Sequence, residues 1–312
     1  MPAAVPRMRI FLTGATGYIG LAVLDGFIRA GHQVTALVRT TENAETASAR
    51  GASTVMGDLV QPETYRTAAE NFDAYVLTAF DGIGRGAEID RRTLDTLLGV
   101  AAKRAKEHPC AFVYTSGVWV LGQSAQPARE DAPINPTPHV AWRPAHEQRV
   151  LEAVAGGVRP IVVRPGIVYG GTRGIVSDLL KNGVNGLIRV VGSGTNHWPL
   201  VYVRDLADVY VKLVTRSEAS GIYHANDEGD ETVNDLVQGI VDHLSMRPDV
   251  RHVPLDEARA KLGPYADALA LDQRVRSPRA RALGWSPALH SVGGNVPRLL
   301  EEFRGAERRV GR

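Results

Sequence analysis

The chain has 312 residues, 44% of them hydrophobic and 22% charged, which is the balance of an ordinary globular enzyme with a sizeable core. Its formal net charge of +2 gives no reason to expect a nucleic-acid partner. The single cysteine, Cys110, excludes an internal disulfide, and no apolar run reaches the ~18 residues of a membrane-spanning helix. With no signal peptide before the first strand, we expect a cytoplasmic protein that acts on a small molecule.

The first predicted strand leads into a glycine-rich turn. The apolar run Met8 to Leu12 predicts a buried strand, and residues 13–20 (TGATGYIG) open a helical pattern. Gly14 permits a sharp turn, Gly17 lets the main chain approach a pyrophosphate, and Gly20 lets helix and sheet pack closely. The free N–H groups of such a helix start favour phosphate. We therefore predict a dinucleotide site that includes Gly14, Thr16, Gly17, Tyr18, Ile19 and Gly20.

This turn resembles the TGxxGxxG fingerprint of the short-chain dehydrogenase/reductase superfamily, in its extended, epimerase-like branch. The resemblance implies a nicotinamide dinucleotide cofactor. Strands alternating with helices predict an α/β fold, a Rossmann-type doubly wound parallel sheet with ligands at the carboxyl ends of the strands. We expect residues 8–169 and 199–226 to form the dinucleotide-binding domain. Residues 170–198 and 227–312 are then a smaller, discontinuous substrate domain.

The second predicted strand, Gln33 to Val38, ends at Arg39. NAD-preferring folds of this type place a carboxylate here to bond the ribose 2′-hydroxyl, whereas a nearby arginine accommodates a 2′-phosphate. No Asp or Glu occurs from Gln33 to Thr41. The sequence therefore favours NADP (NADPH) as cofactor, with NAD as the second choice. The alternative is that Arg39 is only a solvated cation at the strand end.

Further cofactor contacts are expected where later strands end, and strands are predicted at 53–56, 74–78, 111–115 and 160–163. Gly57-Asp58-Leu59 resembles the family's adenine-contacting pair. The segment RPGIVYG at 164–170 resembles the family segment whose backbone lies along the nicotinamide. Together these segments imply cofactor contacts from Asp58, Leu59, Thr78, Ala79, Thr115, Pro165 and Val168.

A long helical pattern covers about residues 88–106, with Leu94, Leu97, Leu98 and Ala101 at helical spacing. In the resembling family the equivalent helix commonly forms half of a dimer interface, which implies a homodimer. The alternative is a helix that only packs on its own sheet. Later patterns predict a final sheet strand at 221–226, and, for the second domain, a strand at 187–191 and helices at 175–182, 232–244, 255–262 and 292–303.

The resemblance ends at the catalytic residues. The family's catalytic hydroxyl falls on Gly117, and its Tyr-x-x-x-Lys pair falls on His139 and Arg143. Spacing four would place both on one helix face, whereas Pro144 predicts that the helix proper begins only near Arg143. Arg143 can hold a ribose and supply positive charge, and His139, with an unperturbed pKa near ~6.5, can act as acid or base. Otherwise His139 lines the pocket without chemistry or caps the helix. Ser116 can replace the missing hydroxyl only if the backbone kinks.

The aromatic residues in these segments are candidate walls for an apolar or aromatic substrate. The candidate substrate-contacting residues are Gly117, Trp119, Trp142, Tyr169, Trp198 and Tyr202. For each of the aromatic residues the alternative is core packing, and Tyr169 and Tyr202 are also reserve proton donors if their hydroxyls face the nicotinamide. We expect NADP(H)-dependent hydride transfer to or from a small organic substrate, a carbonyl, imine or activated alkene, with no metal. The alternatives are a non-catalytic NAD(P)-binding redox sensor, or a sugar-type epimerase/dehydratase, which relies on the absent tyrosine and serine.

Overall fold

Short apolar strands alternate with helices along most of the chain, as the sequence pattern predicts. The computed structural model describes residues 7–80, 84–124 and 126–310, without the side chains of 306–310. The strands among these residues are β1 (Arg9–Thr13), β2 (Gln33–Val38), β3 (Ser53–Met56), β4 (Ala74–Leu77), β5 (Cys110–Thr115), β6 (Val158–Pro165), β7 (Ile167–Tyr169), β8 (Leu187–Val191), β9 (Leu200–Tyr202), β10 (Gly221–Ala225) and β11 (Asp249–Val253). The α-helices are α1 (Tyr18–Arg29), α2 (Thr41–Ser48), α3 (Gly86–Ala105), α4 (Arg143–Leu151), α5 (Ile175–Val184), α6 (Val203–Thr215), α7 (Val233–Asp242), α8 (Leu255–Leu262), α9 (Tyr265–Leu269), α10 (Pro278–Ala282) and α11 (Val296–Val310).

The main sheet confirms the expected Rossmann-type α/β fold. In the described part of the chain it has seven strands in the order β10-β6-β5-β4-β1-β2-β3, and every pair is parallel. Strand β1 lies between β2 and β4, with Thr13 opposite Leu37 on one side and Leu77 on the other. The strand order therefore reverses at β1, which is where a doubly wound sheet opens a crevice for a ligand.

Helices cover both faces of this sheet and bury its apolar side chains. On one face α1 and α6 contribute Phe27 and Leu213, both fully buried. On the other face α3 and α4 contribute Leu97 and Val150, also fully buried. Burial of each such side chain is worth about 1.5–3 kcal/mol, so these two layers hold the carboxyl ends of the strands in place.

Helix α3 confirms the predicted long helix, and its two faces differ in chemistry. Leu94 and Leu98 are buried against the sheet. The opposite face carries Arg91, paired with Asp95 at 3.0 Å, and Arg92, paired with Glu88. Its packing on its own sheet is therefore observed, and the homodimer implied by the family resemblance stays a prediction.

A second core forms where α5, β8, α7 and α11 pack together, around buried Leu180, Ile188, Leu236 and Leu299. The predicted strand at 187–191 and helix at 255–262 are confirmed with those bounds. Helix α7 begins with a capping box in which Thr232 and Asp235 satisfy each other's backbone N–H groups. No helix in the described ranges is long and apolar enough to cross a membrane.

One segment of the predicted second domain packs on the first. Trp285 and Ala280 are buried in the core of the main sheet, and the indole N–H of Trp285 donates to the carbonyl of Asp205 at 2.9 Å. This contact attaches the C-terminal part of the chain to α6. The exact ranges proposed for the two domains stay a prediction.

Candidate active site

The glycine-rich turn between β1 and α1 forms the floor of a groove. Gly14 has a φ of 73°, and a Cβ there would lie 2.6 Å from the backbone nitrogen of Ala79 at the end of β4. A Cβ on Gly20 would overlap the carbonyl of Gly14. A Cβ on Gly17 would meet only that carbonyl oxygen, at 3.1 Å. Gly14 and Gly20 are therefore required by the fold itself, whereas the space at Gly17 is open to a ligand.

The groove has a volume of about 500 Å³ and runs over the carboxyl edge of the sheet. Helix α1 starts at this groove and has no acidic residue in its first turn, so its free N–H groups present a partial positive charge. The shape and the donor set fit the adenosine diphosphate part of a dinucleotide. The residues predicted as cofactor contacts that line it are Gly14, Thr16, Gly17, Tyr18, Ile19, Arg39, Asp58, Leu59, Thr78 and Ala79. Gly20 does not line it, because it packs beneath Gly14.

Arg39 lies at the end of the groove that follows β2. Its side chain is exposed, lines the groove, and forms no hydrogen bond or ion pair with the described residues. The next residue, Thr40, caps α2 by accepting a hydrogen bond from the backbone N–H of Asn43 at 3.2 Å. Asn43 also lines the groove. The groove therefore ends in an unpaired cation beside a helix start, which suits an anionic group.

A second cavity of about 320 Å³ adjoins the groove and shares Tyr18, Ile19 and Phe80 with it. No carboxylate or lysine of the described residues lines this cavity. It brings together most of the residues predicted for the nicotinamide and the substrate: Ser116, Gly117, Trp119, His139, Trp142, Arg143, Pro165 and Val168.

The guanidinium of Arg143 is fixed at the mouth of this cavity. One Nη donates to the carbonyl of Thr115 at 3.0 Å. The guanidinium carbon lies 4.5 Å from the ring centre of Trp142 and 5.1 Å from that of Phe80, and the two rings stack at 5.5 Å. Two cation–π contacts and one hydrogen bond leave its other donors available to a ligand.

Thr115, predicted as a cofactor contact, lines neither the groove nor the cavity. Its carbonyl accepts from Arg143, and its hydroxyl is hydrogen bonded to the Tyr210 hydroxyl at 2.6 Å. Its hydroxyl and its carbonyl are thus already hydrogen bonded inside the protein, and the cofactor contact of Thr115 stays a prediction. The effect of Thr115 on the site is to position Arg143.

His139 and Arg143 line the same cavity, but not by sharing one helix face. Helix α4 begins only at Arg143, with Pro144 in its first turn, where a missing N–H is tolerated. His139 lies before it in the 3₁₀ turn Pro138–Val140. The helix thus begins at Arg143, as Pro144 predicts, so His139 does not share its face. Both residues line the same cavity.

The imidazole of His139 contacts Trp119, with ring centres 5.9 Å apart, and Tyr265, at 5.3 Å. Partial burial, and then the positive charge of Arg143, lower the pKa of His139. The ring is thus neutral at neutral pH and can accept a proton. Tyr265 comes from the short helix α9, which carries no recognisable motif, so the sequence offers no signal for it.

Ser116 lines the cavity. The sequence analysis expected Ser116 to replace the missing hydroxyl only if the backbone kinks after the strand. Strand β5 ends at Thr115, and the 3₁₀ turn Val118–Leu121 follows closely. The Oγ of Ser116 is buried and has no hydrogen-bond partner in the described structure. A buried hydroxyl without a partner costs free energy, and the oxygen of a bound substrate would relieve that cost.

Three predicted substrate contacts do not line the cavity: Tyr169, Trp198 and Tyr202. Tyr169 and Tyr202 are opposite each other on the paired strands β7 and β9, so their rings meet, 5.8 Å apart, in the second core. The hydroxyl of Tyr202 donates to Glu302 at 2.6 Å, and the indole N–H of Trp198 donates to the carbonyl of Leu269 at 3.0 Å. Burial also raises the pKa of both tyrosines, which makes their hydroxyls weaker acids.

A buried polar network that the sequence analysis missed supports Trp142. The Nδ1 of His146 lies 2.7 Å from Oδ2 of Asp90, and the Tyr114 hydroxyl donates to the same oxygen at 2.7 Å. The His146 ring also contacts Trp142, with centres 4.8 Å apart. Because these partners come from α3, α4 and β5, no single sequence motif predicts them. The network holds the aromatic wall of the cavity in one orientation.

The sequence and fold were compared with known proteins. The model of the NAD dependent epimerase/dehydratase family matches residues 10–225. An uncharacterised protein of Schizosaccharomyces pombe is 30% identical over 91% of this chain and 96% of its own length. The 4-hydroxy-2-methyl-3-oxo-4-farnesyl-3,4-dihydroquinoline-1-oxide ketoreductase of Stigmatella aurantiaca is 26% identical over 93% of this chain and 88% of its own.

Solved structures share this fold over almost the whole length of this chain and of their own. The UDP-glucose 4-epimerase of Thermus thermophilus, in complex with NAD, has a TM-score of 0.79 at 20% identity, over 96% of this chain and 100% of that one. The human epimerase family protein SDR39U1 (isoform 2), with NADPH, has a TM-score of 0.71 at 21% identity, over 94% and 99%. At these identities the likeness shows a common fold.

Proposed function

The chain belongs to the NAD dependent epimerase/dehydratase family, and we propose that it is an NADP(H)-dependent oxidoreductase of compact apolar carbonyl compounds. The observation that carries the proposal is the cavity beside the cofactor groove. Its walls include Phe80, Trp119, Trp142, Val140 and Ile175, and three polar residues, Ser116, His139 and Arg143, also line it.

Each polar side chain has a separate task in this proposal. The dinucleotide, when bound, supplies or takes up the hydride. Arg143 holds the nicotinamide ribose and keeps the cavity electropositive. Ser116 donates a hydrogen bond to the substrate oxygen, which pairs its free hydroxyl. His139, neutral at neutral pH, accepts the proton of the substrate hydroxyl in the oxidation direction and returns it in reduction, directly or through a water.

The chemistry of the walls favours an apolar substrate over a nucleotide sugar. Sugar hydroxyls need several hydrogen-bond partners when buried, and the described lining offers aromatic and aliphatic surface instead. A cavity of about 320 Å³ that also has to hold the nicotinamide leaves room for a compact molecule. One relative named above is a ketoreductase, which agrees with carbonyl chemistry on this scaffold.

The groove favours NADP(H) through Arg39, which is unpaired and directly follows β2. An arginine at this position of a Rossmann-type fold accommodates a 2′-phosphate. One structural neighbour was solved with NADPH, which supports the choice, and another with NAD, which makes NAD the comparison to measure.

The test is turnover by the purified chain. NADPH oxidation is measured with a panel of small ketones and aldehydes, from cyclohexanone and benzaldehyde to the polar glyceraldehyde. UDP-glucose, whose hydroxyls can only be oxidised, is the sugar-nucleotide control and is supplied with NADP⁺ or NAD⁺. We expect activity with the apolar members and none with UDP-glucose. Tight NADPH binding without turnover of any member would instead support a redox sensor, and interconversion of UDP-glucose without net reduction of the cofactor would support an epimerase.

A further inference from the structure

Arg173 reaches the cofactor groove from the opposite side of the crevice. It belongs to the glycine-rich turn 170–174, which connects β7 to α5 of the second core. Its side chain is exposed, lines the groove, and forms no hydrogen bond or ion pair with the described residues. Arg39 and Arg173 are thus the cationic side chains that the described groove contains, and neither has an acidic partner.

The turn that carries Arg173 is held from both sides. The Tyr18 hydroxyl donates to the carbonyl of Gly170 at 2.9 Å, and a carboxylate oxygen of Glu302 accepts from the backbone N–H of Gly171 at 3.1 Å. A Cβ on Gly174 would lie 2.9 Å from a ring carbon of Tyr18. Since Tyr18 is the first residue of α1, these contacts place Arg173 beside the start of that helix.

The start of α1 lacks a cation of its own. Residues 13–20 contain no lysine or arginine, so the diphosphate of a dinucleotide would otherwise meet only backbone N–H groups and the partial charge of the helix, roughly +0.5. Arg39 does not meet that need, because it follows β2 at the ribose end of the groove. The position of Arg173 therefore matches the part of the ligand whose charge is least compensated.

We propose that Arg173 binds the diphosphate of the dinucleotide, while Arg39 binds the 2′-phosphate, so that one arginine sets affinity and the other sets selectivity. The inference rests on the proposed function only in requiring a dinucleotide in the groove. It has a structural consequence, because Gly174 and Ile175, which follow Arg173, line the substrate cavity. The diphosphate would thereby fix one wall of the cavity in which the substrate binds.

The experiment measures binding, without turnover, by calorimetric titration of the full chain. The ligands are NADPH, NADH, ADP and adenosine 2′-phosphate, and the variants are Arg173→Ala, Arg39→Ala and Arg189→Ala. Arg189 is the matched control, an exposed arginine of the same domain that lies outside the groove. We expect Arg173→Ala to weaken NADPH, NADH and ADP equally, by about tenfold or more, the usual effect of losing a charge-assisted hydrogen bond, and to spare adenosine 2′-phosphate. Arg39→Ala should weaken NADPH and adenosine 2′-phosphate, which carry the 2′-phosphate, and spare NADH and ADP.

Further outcomes separate the inference from the proposed function. Unchanged NADH affinity in Arg173→Ala would overturn the inference and leave the proposed function intact, as would a loss confined to NADPH. Absence of dinucleotide binding in the parent chain would overturn both. Arg173→Lys, which keeps the charge, should recover part of the affinity. The unfolding temperature without ligand should be the same in all variants, because these exposed side chains form no hydrogen bond or ion pair with the described residues.

Discussion

Arg143 donates a hydrogen bond to the carbonyl oxygen of Thr115 at 3.0 Å, which ties the first residue of α4 to the last residue of β5. The same guanidinium lies over the rings of Trp142 and Phe80. No ion pair with a described carboxylate neutralises it, so its charge acts on the cavity. This arrangement places a permanent cation at the position where the family resemblance implies a lysine.

Replacing Arg143 should therefore affect cofactor and catalysis together. We expect Arg143→Ala to weaken NADPH binding by roughly 10- to 100-fold, because charge-assisted hydrogen bonds are worth about 1.5–3 kcal/mol. Arg143→Lys keeps the charge and should retain more affinity than Arg143→Ala. Titration of the three proteins checks the order, and equal affinities would show that Arg143 does not touch the cofactor.

His139 should act on the substrate side alone. We expect His139→Phe to keep NADPH affinity and to lower turnover by about 10²- to 10⁴-fold, the usual contribution of acid–base catalysis. Full turnover in His139→Phe would assign the proton transfer to another group.

The pH dependence gives a second measurement on His139. Because its pKa is lowered, the rate in the oxidation direction should fall only below about pH 6.5, where the imidazole becomes protonated and can no longer accept a proton. Arg143→Gln removes a charge that lowers this pKa, so the acid limb should move to higher pH. A limb that persists in His139→Phe would contradict this assignment.

Cofactor preference should depend on Arg39. We expect the parent chain to bind NADPH more tightly than NADH by about 10- to 100-fold, and Arg39→Asp to reverse the order, because a carboxylate bonds the 2′-hydroxyl and repels the 2′-phosphate. Both affinities are measured on both proteins. Equal binding of the two cofactors by the parent would remove this role from Arg39.

Substitutions at two glycines of the turn should have different effects, one on cofactor binding and the other on stability. A side chain at Gly17 meets one carbonyl oxygen at 3.1 Å and otherwise enters the groove, so Gly17→Val should abolish cofactor binding and leave the fold largely intact. Gly20→Ala is the contrast, since its Cβ overlaps the Gly14 carbonyl, and it should cost roughly 1–3 kcal/mol of stability. Circular dichroism, thermal unfolding and NADPH titration distinguish the two effects, and normal NADPH binding by Gly17→Val would mean that the groove is used differently.

Asp227 should make stability depend on pH. Burial raises the pKa of this carboxyl to about 7, although its Oδ1 accepts a hydrogen bond from the backbone N–H of Gly229 at 3.0 Å. Between about pH 4 and 7 the folded chain holds a proton that the unfolded chain has released, so stability falls as pH rises through that window, by up to roughly 4 kcal/mol. Asp227→Asn should be more stable than the parent at pH 8 and equal to it near pH 4. Exposed Asp131→Asn is the control, and parallel stability curves for Asp227→Asn and the parent would contradict the expectation.

Local sequence patterns determined the elements and the cofactor groove. Strands β2 and β3 and helix α8 have the bounds that the pattern predicts, because alternation, propensity and turn residues act over a few neighbouring residues. The groove follows for the same reason. Its main contacts lie in short segments at strand ends, and a parallel sheet necessarily brings those ends to one edge.

Only the tertiary structure decided which side chains face the cavity. Tyr169 and Tyr202 lie in segments that the sequence assigned to the substrate site, yet their cross-strand pairing directs both rings into the second core. Tyr265 contacts His139, and Arg173 lines the groove, and neither belongs to a recognisable motif. The physical reason is that the direction of a side chain depends on the residues that it packs against, and these residues are distant in the sequence.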